Sequence, residues 1–225
     1  MQKFIIALAF LLLLCNDGFT QKKKQAQPLA GLDEQINQIL KDWNAAGAAV
    51  AVVEKDKVIY LKGFGYKDYE NKQPVTPNTL FAIGSCTKAF TATLLGILEK
   101  EGRLNLDEPV NEYLPGLKFY NEYLTAHVSA RDMMTHRTGL PRHDLSWYGA
   151  DVSRDSLLRR IRHLQPSAGL RETYQYNNFM FLAQGMLAEK IENKSWEQQV
   201  KEKIFMPLGM NGANFSINDL EKAPD

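Results

Sequence analysis

Ser85 and Lys88 are the two residues whose types and spacing could do chemistry together. They stand three apart in Phe81-Ala82-Ile83-Gly84-Ser85-Cys86-Thr87-Lys88-Ala89-Phe90. From Lys88 on, small and apolar residues recur at helical spacing as far as Glu99, and Asn78, Thr79 and Gly84 read as a loop opening into the start of a helix. Residues three apart on a helix share a face, one turn from each other. The Ser85 hydroxyl and the Lys88 amine are therefore expected within reach of each other, with Ser85 in the first helical turn. A serine hydroxyl is a poor nucleophile until a neighbour accepts its proton, and a lysine can do so once desolvation or a nearby cation favours its neutral form. The same residues also allow a blander reading, a capping serine followed by a surface lysine. Against that reading, the helix carries no charged residue between Lys88 and Glu99, an odd setting for a merely structural lysine.

Tyr176 and Asn178 form a second candidate pair. They sit in Tyr174-Gln175-Tyr176-Asn177-Asn178-Phe179, at the entrance to an apolar helix. A tyrosine hydroxyl beside an ammonium ionises more readily, so Tyr176 could relay protons for Ser85. Asn178 could offer its amide to a substrate carbonyl. Taken alone, the pair also fits an interfacial aromatic followed by an asparagine N-cap. Cys86 neighbours the candidate nucleophile, but no histidine lies near it in sequence and the lysine spacing belongs to Ser85. It is expected to be a small buried apolar residue.

The elements that must position these residues follow from periodicity. Leu32, Ile36, Ile39, Leu40 and Trp43 mark an amphipathic helix ending near Gly47. Ala48 to Val53 and Val58 to Lys62 are short β-branched runs separated by Glu54-Lys55-Asp56-Lys57, the pattern of a β-hairpin. Gly63 to Pro77 reads as a turn-rich connection into the Ser85 helix, which Gly102 stops. Further helices are expected over Val128 to Met134 with Ser129 as N-cap, Ser153 to Leu164, Phe179 to Ile191, and Ser195 to Phe205, where Ser195 and Gln198 suggest a capping box. Asn211 to Asp225 is short and polar. A lone hairpin cannot bury itself, so its sheet is expected to need strands that no run after Met210 supplies.

Composition excludes several function classes. The formal net charge is +1, and no basic stripe with interleaved aromatics is present, so nucleic acid is not an expected partner. Hydrophobic residues make up 44% and charged residues 24%, ordinary proportions for a soluble globular chain. Met1 to Thr20 combines Lys3 with an apolar run from Phe4 to Leu14, too short for a stable membrane span. It is expected to be a signal peptide cleaved near Thr20-Gln21, giving an exported, periplasmic or secreted protein; lipid attachment at Cys15 is the less favoured reading. Residues 21–31 read as a polar linker and residues 32–225 as one domain. The four histidines, His127, His136, His143 and His163, show neither H-x-H nor H-E-x-x-H spacing, which leaves no metal site to propose, and His136 is expected to structure its loop. There is no G-x-S-x-G elbow and no phosphate-binding glycine loop.

Several segments together resemble the beta-lactamase-related serine hydrolases, the family of class C beta-lactamases, DD-peptidases and related esterases. They are the S-x-x-K of Ser85 to Lys88, Glu101 to Val110, Met134 to Pro141, Tyr176-Asn177-Asn178 and Phe205 to Met210. The resemblance covers about Leu32 to Phe215. Within the family, Tyr-Asn-Asn and Thr138 to Asp144 look similar to exported hydrolases other than the resistance enzymes. The resemblance implies an α/β (α+β) fold of the beta-lactamase/transpeptidase-like kind: an antiparallel sheet flanked by helices plus an all-helical subdomain, with the sheet incomplete here. It implies Ser85 as acylated nucleophile, Lys88 as its proton acceptor, Tyr176 as acid and base, Asn178 as a substrate-side amide, and the Ser85 backbone N–H as half of an oxyanion hole. No cofactor is implied, and the partner is a small-molecule or peptide substrate, either a D-amino-acid peptide, an ester or a lactam. The family's third motif, Lys-Thr-Gly or His-x-Gly on a C-terminal strand, has no match after Met210. The chain is therefore expected to be the N-terminal part of a longer hydrolase. The alternative is a catalytically inactive binding module or incomplete fragment.

Overall fold

A computed structural model describes residues 29–223; the expected signal peptide and most of the polar linker lie outside the described residues. Among the described residues no helix is long and apolar enough to cross a membrane. The chain divides into two compact units, one up to Thr79 and one from Leu80 onward.

In the first unit, helix α1 (Leu32–Asp42) precedes an antiparallel sheet of β1 (Gly47–Glu54), β2 (Lys57–Asp68) and the two-residue β3 (Gln73–Pro74), in the order β1-β2-β3. The expected hairpin is present. Gly47 pairs with Gly65 and Glu54 with Lys57, which leaves Lys55-Asp56 as a two-residue turn with φ of 47° and 63°. Positive φ at both turn positions matches the right-handed twist of the flanking strands. Ile36 of α1 is buried, and Asp33 accepts hydrogen bonds from Tyr60 and Lys62 of β2.

The expectation of a turn-rich connection from Gly63 is corrected here, because β2 continues through Gly63-Phe64-Gly65-Tyr66 and β3 adds a third strand beside it. The glycines are a packing requirement, not a break. A Cβ on Gly63 would lie 2.2 Å from the carbonyl oxygen of Val75, and one on Gly65 would lie 2.2 Å from that of Ala46. Close backbone approach of this kind is where a strand uses glycine.

The second unit is helical. Its elements are α2 (Thr87–Lys100), α3 (Glu122–His127), α4 (Ala130–Met134), α5 (Arg154–Arg160), α6 (Asn178–Glu192), α7 (Trp196–Val200) and α8 (Ile217–Glu221). Leu94, Leu95 and Leu98 of α2 and Phe179, Met180, Ala183 and Leu187 of α6 are buried in one apolar cluster. Each fully buried leucine is worth about 1.5–3 kcal/mol of transfer free energy. Trp196 of α7 donates its indole N–H to Thr91 of α2 at 3.1 Å. The core thus fixes α2 against α6, the two helices that carry the four candidate residues or begin beside them.

Local signals account for most helix starts. Ser129 caps α4 through a reciprocal box with Asp132, and Ser153 caps α5. Four expectations change. Ser85 lies in a 3-10 turn, Gly84–Cys86, that precedes α2, because Gly84 at φ +50° bends the chain there. Ser195 caps α7 by accepting from the Gln198 N–H, but the Gln198 side chain donates to Glu202, so the box is not closed. Cys86 is exposed, not buried, since that turn projects it away from the apolar cluster. The fourth difference is that the short helices α3 and α8 were not expected; each is started by a side-chain cap, Asn121 and Ser216.

Candidate active site

The 3-10 turn and the first turn of α2 place the Lys88 Nζ 3.0 Å from the Ser85 Oγ, as the three-residue spacing requires. The packing of α6 on α2 brings the second pair to the first. Tyr176 Oη lies 2.6 Å from Ser85 Oγ, and Lys88 Nζ donates to Asn178 Oδ1 at 2.7 Å. All four expected residues therefore converge on one point. Lys88 also sits 4.7 Å from the centre of the Tyr176 ring and 5.4 Å from that of Phe181, so its half-buried ammonium lies between aromatic rings.

Tyr176 is held from both sides by His136. The Gln175 N–H donates to the His136 carbonyl at 2.8 Å, and the Asn177 N–H donates to His136 Nδ1 at 3.1 Å. An Nδ1 that accepts a hydrogen bond makes the imidazole neutral, with its proton on Nε2. Burial, with the Lys88 charge as a second cause, pushes the His136 pKa below its usual value, which agrees with that form. The His136 and Tyr176 rings lie 4.6 Å apart, and His136 itself takes a left-handed φ of 58°. Asn177, not Asn178, caps α6: its Oδ1 accepts from the Met180 N–H, and its Nδ2 donates to the Pro141 carbonyl at 2.6 Å. Asn178 is consequently the first residue of the helix and its amide is free to face Lys88.

Burial works to raise the Tyr176 pKa, but hydrogen bonds with Lys88 and Ser85 and the charges of Lys88 and Arg142 outweigh it, leaving the phenol more acidic than usual. The Arg142 guanidinium is 5.0 Å from the centre of the Tyr176 ring. Arg142 donates in turn to Asp144 at 2.7 Å, and Asp144 also receives the Trp147 indole N–H at 3.1 Å and Asn178 Nδ2 at 3.3 Å. The arrangement supplies a hydroxyl, an amine and an acidified phenol in mutual hydrogen-bond contact, which is what activation of a serine nucleophile and proton return require.

Sequence reasoning did not select Arg142 and Asp144 as site residues, and it assigned His136 only to its loop. Their signal was available in Thr138-Gly139-Leu140-Pro141-Arg142-His143-Asp144, where two opposite charges directly follow a turn. What the pattern could not reveal is that this turn folds over α6.

A family model described as Beta-lactamase matches residues 32–225. The unguisins hydrolase of Aspergillus campestris is 36% identical over 196 residues, covering 83% of this chain and 36% of that protein. A teichoic acid D-alanine hydrolase of Staphylococcus aureus is 31% identical over 167 residues, covering 74% of this chain and 40% of that one. The octameric penicillin-binding protein homologue from Pyrococcus abyssi superposes with a TM-score of 0.76 at 29% identity, covering 88% of this chain and 47% of that structure. The chain thus spans 36–47% of the length of these relatives.

Proposed function

This chain belongs to the Beta-lactamase family, and from that premise we propose that it is, or forms part of, an exported serine hydrolase working through an acyl-enzyme on Ser85. The observation that carries the reading is the closed contact set of Ser85 Oγ with Tyr176 Oη at 2.6 Å and with Lys88 Nζ at 3.0 Å. Ser85 Oγ bonds to the substrate carbonyl carbon while its proton passes to neutral Lys88. Tyr176 gives its phenolic proton to the departing amine, alcohol or lactam nitrogen. The resulting phenolate takes a proton from water, and the hydroxide so formed attacks the acyl-enzyme. Lys88 then returns its proton to Ser85 Oγ, and all three side chains end as they began. The lowered Tyr176 pKa supports the phenolate stage.

The substrate is a carbonyl compound of ester, D-amino-acid peptide or lactam type, in keeping with relatives named for hydrolysis of unguisins and of teichoic acid D-alanine. The apolar run from Phe4 to Leu14 supports export. The test is turnover of a chromogenic ester, a D-alanyl ester and a cephalosporin by the parent chain, Ser85→Ala and Lys88→Ala. Loss of turnover in both variants supports the reading. Turnover surviving Ser85→Ala overturns it.

A further inference from the structure

The amide of Asn178 is held at both ends: Oδ1 accepts from Lys88 Nζ at 2.7 Å, and Nδ2 donates to Asp144 Oδ1 at 3.3 Å. The two contacts have different consequences. A charged ammonium by itself selects the Oδ1-inward orientation, because an ammonium has only donors. Neutral Lys88, the form that must accept the Ser85 proton, carries a lone pair. That lone pair would accept from Nδ2 if the amide turned over, and Lys88 would then be blocked as a base. Only a second, fixed acceptor on the far side prevents the turn.

Asp144 is that acceptor, and it is itself fixed. Arg142 donates to its Oδ2 at 2.7 Å and Trp147 to its Oδ1 at 3.1 Å. Its carboxyl is held in the ionised form, foremost by the Arg142 hydrogen bond. An ionised carboxylate only accepts, so it can face Nδ2 and cannot face Oδ1.

We propose that Asp144 is a positioning residue that locks the Asn178 amide with Oδ1 toward Lys88 in both protonation states of that lysine, keeping the lone pair of neutral Lys88 free for the Ser85 proton. The inference rests on the acyl-enzyme reading above. No role for Asp144 follows from the Ser85–Lys88–Tyr176 contacts themselves.

The experiment measures the second-order rate of Ser85 labelling by a fluorophosphonate, with the Asn178 side-chain amide followed by NMR in the same samples. Asp144→Ala is expected to slow labelling about tenfold, the scale of one lost orienting hydrogen bond. It should also shift the Asn178 amide resonances. Asp144→Asn replaces an acceptor-only carboxylate by an amide that can donate as well as accept, so it no longer selects one orientation of Asn178, and it is expected to slow labelling as Asp144→Ala does. Trp147→Phe removes one of the two donors that fix Asp144 while the Arg142 contact remains, and it is expected to slow labelling by less than Asp144→Ala does. Parental labelling in Asp144→Ala or in Asp144→Asn overturns the inference. If the parent chain itself is not labelled at Ser85, the acyl-enzyme reading fails, and the amide resonances still decide the orientation: resonances unmoved by Asp144→Ala overturn it. Should Asp144→Ala not fold, Asp144→Leu takes its place in every comparison.

Discussion

Tyr176→Phe removes one oxygen and leaves the ring. The ring keeps its packing on His136 at 4.6 Å and its contact with Lys88 at 4.7 Å, so the variant isolates the hydroxyl. What disappears is the 2.6 Å contact to Ser85 Oγ and with it the group proposed to protonate the leaving group and deprotonate water. A positioned acid–base side chain contributes about 10²–10⁴-fold in rate, so kcat/KM should fall by that factor, or about 3–5 kcal/mol of transition-state stabilisation. The fold should hardly notice, since the lost hydrogen bond of a half-buried hydroxyl is worth about 1 kcal/mol. The pH profile adds an independent reading. In the proposed mechanism Tyr176 is needed protonated at the leaving-group step, and its pKa lies below the ordinary phenol value of 10.0. Activity should therefore decline with rising pH through a limb that begins below pH 10, and Tyr176→Phe should abolish that limb. The assay is stopped-flow hydrolysis of a chromogenic ester from pH 6 to 11, with thermal melts of both proteins. A loss under threefold with the alkaline limb intact would refute the role given to Tyr176.

Three further predictions concern stability. His136 has a folded pKa depressed below the usual 6.5, foremost by burial, so its contribution is complete above pH 6.5 and drains as pH falls through the folded value. Thermal melts between pH 7.5 and 5 should show a decline that His136→Gln lacks, and equal slopes would contradict it. Asp132 is buried, receives Arg171 at 2.8 and 2.9 Å and completes the cap of α4; Asp132→Ala should cost about 2 kcal/mol by urea melts, and a neutral effect would contradict the network. Gly63→Ala should destabilise the first unit by more than about 1 kcal/mol, because its Cβ meets backbone that cannot swing aside; hydrogen exchange in β2 and β3 should quicken, and unchanged protection would contradict the packing account.

How far the sequence foretold this arrangement depends on the range of each interaction. Ser85 and Lys88 were legible because a three-residue spacing at a helix start is local, and the cap Ser129 and the helix start at Ser153 were legible for the same reason. The hairpin was legible from two β-branched runs. The continuation of β2 through Gly63 and Gly65 was hidden, because glycine signals a turn unless a neighbouring backbone is known to press on it. Cys86 was misjudged because its burial depends on which way a 3-10 turn projects. Asp144 and His136 lie 34 and 40 or more residues from Asn178 and Tyr176 in sequence, and only the packing of a turn over α6 joins them. Asn177 took the capping role in place of Asn178 because the Pro141 carbonyl and the Met180 N–H together claim its side chain.

The central claim is that Ser85 becomes covalently acylated with help from Lys88 and Tyr176. Its most direct measurement is peptide-level mass spectrometry of the chain after reaction with a fluorophosphonate or a fluorescent penicillin. The account predicts a single adduct on Ser85 that is absent from Ser85→Ala and strongly reduced in Lys88→Ala. An adduct on Cys86 or elsewhere, or labelling that survives Ser85→Ala, would contradict it.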